Sequence, residues 1–354
     1  MDKMDKLGHY LCMYPKFDWK SQNITRIKFE KAIVIITIIF FLTLSTFLMY
    51  YRFSLVQPLF PVSQIILEAL TTIVSQLLCV GALTSLITYE TLWMDYFDQI
   101  YILSNFHKLK CRMYNFKLFI LVLGLYLFWL VTNAVFINYI YGHILHVCYI
   151  DVAWYAFYHL ICSYFIVNFV KYIRQCLSVT NKLLKQKLVN KSVDLPKEIR
   201  NTMIIYEEIR TLNKAFEDLF GWRILLIITG GFLLMLNTFN FLIRLILAPG
   251  NFIIITTSIL LGLYGVFPPV WVMQECDETV KEGENLAVMA FKYQNKFPLN
   301  SEARTELLSL ANWVLDRKIA FSALGLFDIN RRNIFALLGT TTTYFIILIQ
   351  LINV

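Results

Sequence analysis

The chain alternates between long apolar runs and polar, charged segments. Seven runs stay apolar over about the length of a membrane crossing: Ala32 to Tyr50, Gln64 to Thr88, Leu118 to Asn138, Val152 to Val170, Ile224 to Ile243, Phe252 to Met273 and Ile334 to Leu351. A helix rises 1.5 Å per residue, so about 20 residues cross a hydrocarbon core roughly 30 Å thick. The runs are continuously apolar rather than alternating, which predicts helices and not the strands of a barrel. Between Leu118 and Val170 the only charge is Asp151. One helix over that stretch would be about 80 Å long. The polar sequence "NYIYGHILHVCYID" is therefore read as a tight turn between two spans. The expected fold is all-α: one polytopic membrane domain over residues 1–354 with seven transmembrane helices.

The polar segments carry their own pattern. "KYIRQCLSVTNKLLKQKLVNK" has no Gly or Pro and keeps leucines at helical spacing, so the fourth helix is expected to continue beyond the membrane. Asp194 is placed to cap a new helix, with Pro196 tolerated in its first turn. Met203, Tyr206, Ile209, Leu212, Phe216 and Leu219 then form one apolar stripe running towards the fifth span. "QECDETVKEGENLAVMAFKYQNKF" extends the sixth helix in the same way, and Ser301 to Lys318 is amphipathic through Leu307, Leu310, Val314 and Leu315. Anchor helices are thus expected within 171–222 and 275–332. Their stripes pack either within one subunit or between subunits, and the sequence leaves both open.

Charge orients the spans. Of 32 Lys and Arg, thirty fall in the N-terminal segment and in every second loop after it; only Arg52 and Arg244 lie on the other side. Basic residues stay cytoplasmic, which predicts a cytoplasmic N-terminus and an extracellular C-terminus. A seven-helix receptor coupled to G proteins has the opposite orientation. The third span here ends "TNAVFINY" and the seventh has no proline, which also departs from such receptors. The sequons at Asn23 and Asn190 would be cytosolic and unmodified.

Composition sharpens the class. The chain is 58% hydrophobic and 16% charged, with mean hydropathy +0.60, where a soluble domain carries about 25% charged residues. The net charge of +8 then reflects one-sided basic loops, and no nucleic-acid partner is expected. The seven cysteines are scattered, and His143 and His146 lack a third ligand nearby, so no metal and no cofactor is expected. Neither GxSxG, a P-loop, GxGxxG nor HExxH is present, and no enzyme activity is expected. The N-terminal "MDKMDKLGHYLCMYPKFDWK" lacks the apolar core of a cleaved signal peptide.

The last run contains polar groups at a regular spacing. At 100° per residue, Ala336, Thr340, Thr343, Ile347 and Gln350 share one face, with Tyr344 beside it and Phe345, Leu348 and Ile349 opposite. Polar groups in hydrocarbon need partners. A water-filled axis supplies them; so do neighbouring helices of a closed bundle. On the topology above, the outer halves of the second to sixth spans hold Glu68, Thr72, Trp129, Asn133, Trp154, Tyr155, Tyr158, Asn237, Asn240 and Thr256. Aromatic rings with a few hydrogen-bonding groups suit a small-molecule site. Glu68, Trp129, Asn133, Trp154, Tyr155, Tyr158 and Asn237 are the ligand-binding candidates.

The segment "GLFDINRRNIFALLGTTTTYFIILIQL" resembles the C-terminal signature of the insect gustatory receptors, which are related to insect odorant receptors. Gly325-Leu326-Phe327 matches its first element; Thr343-Tyr344, five apolar residues and Gln350 match its second. Leu351 stands where Phe is commonest. "RTLNKAFEDLFGW", leading into the fifth span, also resembles the family. The resemblance implies a ligand-gated cation channel of the plasma membrane of sensory neurons, built as a homo- or heterotetramer among membrane lipid. It also implies a pore lined by the last helix, with Thr340, Thr343, Tyr344, Ile347 and Gln350 as pore or gate residues. The ligand would be a small-molecule tastant in the outer halves of the earlier spans. Phe345 stands where sugar-sensing members tend to have Glu, which favours a bitter or other non-sugar ligand. A secondary transporter and a non-channel seven-helix receptor are the alternatives.

Overall fold

In the computed structural model the described residues are 14–15, 17–18, 23–24, 28–56, 62–105, 116–141, 150–190, 194–247 and 252–352. The turn holding His143 and His146 lies outside them. Two short strands, β1 (Phe17–Asp18) and β2 (Asn23–Ile24), pair antiparallel. The helices follow: α1 (Lys28–Val56), α2 (Val62–Thr88), α3 (Glu90–Asn105), α4 (Phe116–Tyr141), α5 (Ile150–Val189), α6 (Leu195–Leu247), α7 (Phe252–Gln294), α8 (Glu302–Asp316) and α9 (Arg331–Ile352).

Among the described residues six helices, α1, α2, α4, α5, α6 and α7, are long and apolar enough to cross a membrane. The side chains at 345, 348 and 349 of α9 lie outside the described residues, so its crossing rests on the apolar sequence Ile334 to Leu351. Only 17% of the most apolar stretch of α1 and 11% of that of α4 is buried. Ile35, Ile36, Ile39 and Phe40 on α1, and Ile120, Leu121, Leu127 and Phe128 on α4, face outward. Surfaces that apolar belong in lipid. The protein is a multi-pass membrane protein.

Three helices overrun the bilayer. At 1.5 Å per residue, α5 (40 residues), α6 (53) and α7 (43) extend for about 60, 80 and 65 Å. Their extensions gather with α3, α8 and the β1–β2 hairpin at the end of the bundle that carries most of the basic residues, here called the basic end. Tyr206, Ile209, Leu212, Phe216 and Leu219 of α6 are all buried there. So are Leu307, Leu310 and Val314 of α8, while Leu315 is exposed. α3 has no long apolar run, yet Trp93, Tyr96, Phe97, Ile100 and Leu103 recur at helical spacing and are buried. Trp93 packs on Phe220 and stacks on Phe97, and Tyr14 meets Phe165 and Phe169 edge-on. Each such buried ring contributes about 1.5–3 kcal/mol.

The segment between α8 and α9 is tied to one face of α6. Tyr206 donates to the Arg317 carbonyl, Asn213 to that of Ala320, and Glu217 accepts the Ser322 N–H at 2.6 Å. These positions are seven and four residues apart, hence on one side of the helix. The chain then turns through Leu324 and Gly325, both at positive φ (53° and 70°). Only glycine adopts that geometry at no steric cost, which accounts for Gly325 in the Gly-Leu-Phe element. Asn330 caps α9 by accepting the Arg332 and Asn333 N–H groups.

Candidate functional site

A cavity of about 80 Å³ lies between five helices in the half of the bundle away from the basic end. α2 brings Thr71, Thr72 and Ser75 to its wall, and α5 brings Tyr155 and His159. Trp129 closes it from α4, Tyr264 from α7. The fifth wall is bare backbone at Gly230 and Gly231 of α6, facing Gly265 of α7. A Cβ on Gly231 would lie 2.8 Å from the Gly265 carbonyl oxygen and 2.7 Å from Pro269 Cγ. Glycine is thus what lets α6 and α7 cross so closely. Pro268 and Pro269 sit inside α7. Lacking N–H groups, they leave the Tyr264 and Gly265 carbonyls, four residues back, without their helical donors.

The wall hydroxyls are bonded inward. Thr71 donates to the Leu67 carbonyl, Thr72 to Glu68 and Ser75 to Thr71. Tyr264 donates to the Ala156 carbonyl and Tyr155 to Ser45. Their protons being engaged, the hydroxyl oxygens turn lone pairs outward. The His159 ring stands against Gly230, with Nε2 shielded from solvent.

Behind this wall sits a charge cluster. Arg52, wholly buried at the end of α1, pairs with Glu68 of α2 at 2.9 Å and Asp151 of α5 at 3.1 Å. It also donates to Thr72 at 3.1 Å. Asp151 accepts from the Val152 N–H and from Ser45. Ser45 accepts in turn from Gln76 and Tyr155. Two carboxylates share one guanidinium, and the network touches the cavity wall through Thr72, Val152 and Tyr155.

The second feature is α9. It packs on α6 and α7 through Ile334, Leu337 and buried Thr341, with Tyr344 half-buried on the same side. Thr340, Thr343, Ile347 and Gln350 are exposed in the single chain. At 100° per residue, Gln350 and Thr343 lie within about 20° of the direction opposite Thr341. Thr340, Thr342 and Thr343 each donate to the carbonyl four residues back. Their oxygens therefore face outward as acceptors. At the helix base, Arg331 pairs with Asp277 and Glu278 of α7.

A family model described as 7tm chemosensory receptor matches residues 9–352. The chain belongs to the 7tm chemosensory receptor family. The fold of this receptor agrees with that assignment. It is similar to the insect olfactory receptor OR5 from Machilis hrabei, with TM-score 0.62 at 15% identity, over 99% of this chain and 97% of that one. The same olfactory receptor in complex with eugenol gives TM-score 0.56 at 13% identity, over 99% and 98% of the two chains. No curated protein matches the chain.

The receptor's structure brings together some of the expected site residues. Trp129 and Tyr155 line the cavity, and Glu68 stands behind it in the charge cluster. Tyr158 is buried beside His159 but does not line the cavity. Trp154 stacks on Phe41 at 4.9 Å, on the outside of the bundle. Asn133 and Asn237 are half-buried elsewhere. Sequence reasoning missed Thr71, Ser75, His159 and Arg52. The signal for the first two was a polar stretch on one side of α2. Arg52 read as a loop charge, and nothing in its neighbourhood announced its partners.

Proposed function

We propose that the receptor is a gustatory, ligand-gated cation channel, assembled as a homo- or heterotetramer in the plasma membrane of sensory neurons. Its N-terminus is cytoplasmic, its C-terminus is extracellular, and the last helix of each subunit lines a central pore. The observation that carries this reading is the exposed face of α9. A membrane helix that turns Thr340, Thr343 and Gln350 away from its own bundle needs water or a partner there. Four such faces around an axis supply both, and outward hydroxyl oxygens suit a cation. Ile347 would be the apolar constriction. Tyr344 lies nearer the packed side and would set the helix's rotation rather than line the channel.

The ligand would occupy the cavity between α2, α4, α5, α6 and α7. An engineered apolar cavity that admits benzene measures about 150 Å³, so a site of about 80 Å³ takes only a small tastant unless a wall ring moves. The olfactory receptor of like fold has been seen with eugenol, which supports a small-molecule ligand here as well; a bitter or other non-sugar compound is the reading for this chain.

Expression in oocytes with a tastant panel should give ligand-evoked cation current, and Gln350→Ala should change conductance or gating while surface expression holds. A tag after Val354 should be labelled on intact cells. Substrate uptake without current would establish a transporter instead, and an unaltered Gln350→Ala channel would remove that residue from the pore.

A further inference from the structure

We propose that the turn Leu324 to Phe327 is a membrane anchor, inserted into the headgroup layer of the phospholipid leaflet at the basic end. The segment joining α8 to α9 climbs one face of α6 towards the membrane: Arg317, Ala320 and Ser322 are bonded in turn to Tyr206, Asn213 and Glu217. It then folds into a hairpin. The Ile329 N–H donates to the Phe321 carbonyl at 2.7 Å, the Ala323 N–H to that of Phe327 at 3.0 Å, and the Leu326 N–H closes the tip on Ala323. Phe321, Ala323 and Ile329 are buried on the side facing the protein. Leu324 and Leu326 are 57% and 69% exposed, and Phe327 is exposed beside them. A Cβ on Gly325 would meet nothing within 4 Å. Leu324 holds φ 53°, a left-handed conformation that a residue with a Cβ adopts only at a cost. A hydrogen-bonded frame thus holds three large apolar side chains away from the core.

Depth decides what covers them. The Leu324 nitrogen lies 3.3 Å from where a Cβ on Gly221 would stand. Gly221 is three residues, about 4.5 Å of helix, short of Ile224, where the apolar run of α6 begins. The other limb enters α9 at Arg331, also three residues short of the apolar run that starts at Ile334. The headgroup layer occupies about 5–7 Å of each leaflet. The tip therefore stands within that layer, where an apolar side chain reaches the acyl boundary. Its neighbours suit the same surroundings. Arg331 is committed to Asp277 and Glu278, whereas Arg332 is exposed at this level and can take a lipid phosphate. Phe335, exposed on the first turn of α9, adds an aromatic ring at the boundary. Asp328 is exposed on the returning limb and balances Arg332, so a zwitterionic headgroup suffices. Leu299 makes the contrast. It is 78% exposed, but it lies in the turn beyond α7, more than about 30 Å of helix from Met273, out in water.

The test uses the full-length receptor in phosphatidylcholine nanodiscs, with Cys12, Cys111 and Cys148 changed to Ser; Cys79, Cys162, Cys176 and Cys276 are buried. A bimane label is placed at Leu326→Cys and, for comparison, at Leu299→Cys. Two quenchers are compared: a phospholipid carrying a nitroxide near the top of its acyl chain, and iodide in the water. The label at 326 should emit to the blue of the label at 299 and be quenched severalfold more by the lipid than by iodide; the label at 299 should show the reverse. Leu326→Asp, with the label moved to Phe327→Cys, should lose most of the lipid quenching, because a carboxylate does not enter the acyl boundary. Iodide quenching at 326 as strong as at 299 would place the turn in water and overturn the anchor. A label at 326 shielded from both quenchers would show that protein, such as a second copy of the chain, covers the turn, and would overturn it equally. Lipid quenching at 327 that survives Leu326→Asp would show that the frame merely holds the turn at this depth, and the anchoring role falls.

Discussion

Replacing Arg52 with Met should destabilise the receptor severely, and the structure fixes why. An exposed ion pair is worth about 0–1 kcal/mol. Arg52 is not exposed: its side chain is 0% accessible, against 16% for Glu68 and 4% for Asp151. Removing it takes the guanidinium away from buried Asp151 and partly buried Glu68, and breaking a buried pair in this way costs about 3–5 kcal/mol. At about 1.3 °C per kcal/mol for a chain of this size, the melting midpoint should fall by roughly 4–7 °C. It can be followed by heating detergent-solubilised receptor and measuring what survives size exclusion. The reasoning also requires a rescue. Combining Arg52→Met with Glu68→Met and Asp151→Leu removes every charge of the cluster, and an apolar replacement of a buried ionic triad is often neutral or stabilising. The triple variant should therefore recover most of the loss. A midpoint within about 2 °C of the wild type for Arg52→Met alone, or a triple variant no better than the single one, would refute the claim that the charges are mutually dependent.

Gly231→Ala should cost about 1–3 kcal/mol and weaken ligand binding, because the added Cβ meets the Gly265 carbonyl and Pro269, atoms of a helix backbone and a ring that cannot swing aside; thermal midpoints and tastant-evoked currents read both effects. Glu217 is half-buried at the basic end. Burial pushes its carboxyl above the usual carboxylate range, although the Ser322 hydrogen bond opposes the shift. The folded state then binds the proton more tightly than the unfolded state, so the ionised group weakens stability above its folded pKa, and the penalty fades as pH falls through that value. Glu217→Gln, which keeps an acceptor for the Ser322 N–H, should be at least as stable as wild type at neutral pH and lose that advantage in acid. A large loss at neutral pH would show that the charge itself holds the loop.

What the sequence made legible was whatever one helix decides by itself. The stripe Tyr206, Ile209, Leu212, Phe216, Leu219 is a property of local spacing, and its burial follows once any partner is present. The polar face of α9 was readable for the same reason. α3 was not, although its aromatics obey the same period: an amphipathic helix of 16 residues falls below a search for spans and hides within a loop counted for its charges. The cavity was harder still. Trp129 and Tyr155 were legible as outer-half aromatics, but His159, Ser75 and the bare faces of Gly230 and Gly265 gain meaning only where five helices meet. Arg52 shows the limit most clearly. Its partners lie 16 and 99 positions away, and the same residue would be an ordinary loop charge if α1 ended one turn sooner.

α7 links the two halves of the proposed mechanism. Tyr264 and Gly265 on it line the cavity, and Asp277 and Glu278 on it hold Arg331 at the base of α9. Some 13 residues separate the two places, about 20 Å of helix, and Pro268 and Pro269 interrupt the hydrogen-bond ladder between them. Such a break is where a helix changes its bend, so a ligand that moves Tyr264 has a route to the base of α9. Glu278 is held from the other side by Arg174 of α5, which makes the clamp a three-helix junction. Its pairs are partly exposed, and about 0.5 kcal/mol per subunit is a fair size for their net contribution to one gating state. In a concerted gate of four subunits that amounts to about 2 kcal/mol, or roughly thirtyfold in the open–closed equilibrium. Arg331→Met should therefore shift the ligand concentration for half-maximal current several-fold while barely moving the thermal midpoint. Linkage requires the apparent affinity of the ligand to shift in the same direction as channel opening. A variant whose half-maximal concentration is unchanged, or whose open probability and apparent affinity move in opposite directions, would show that α7 does not carry the coupling.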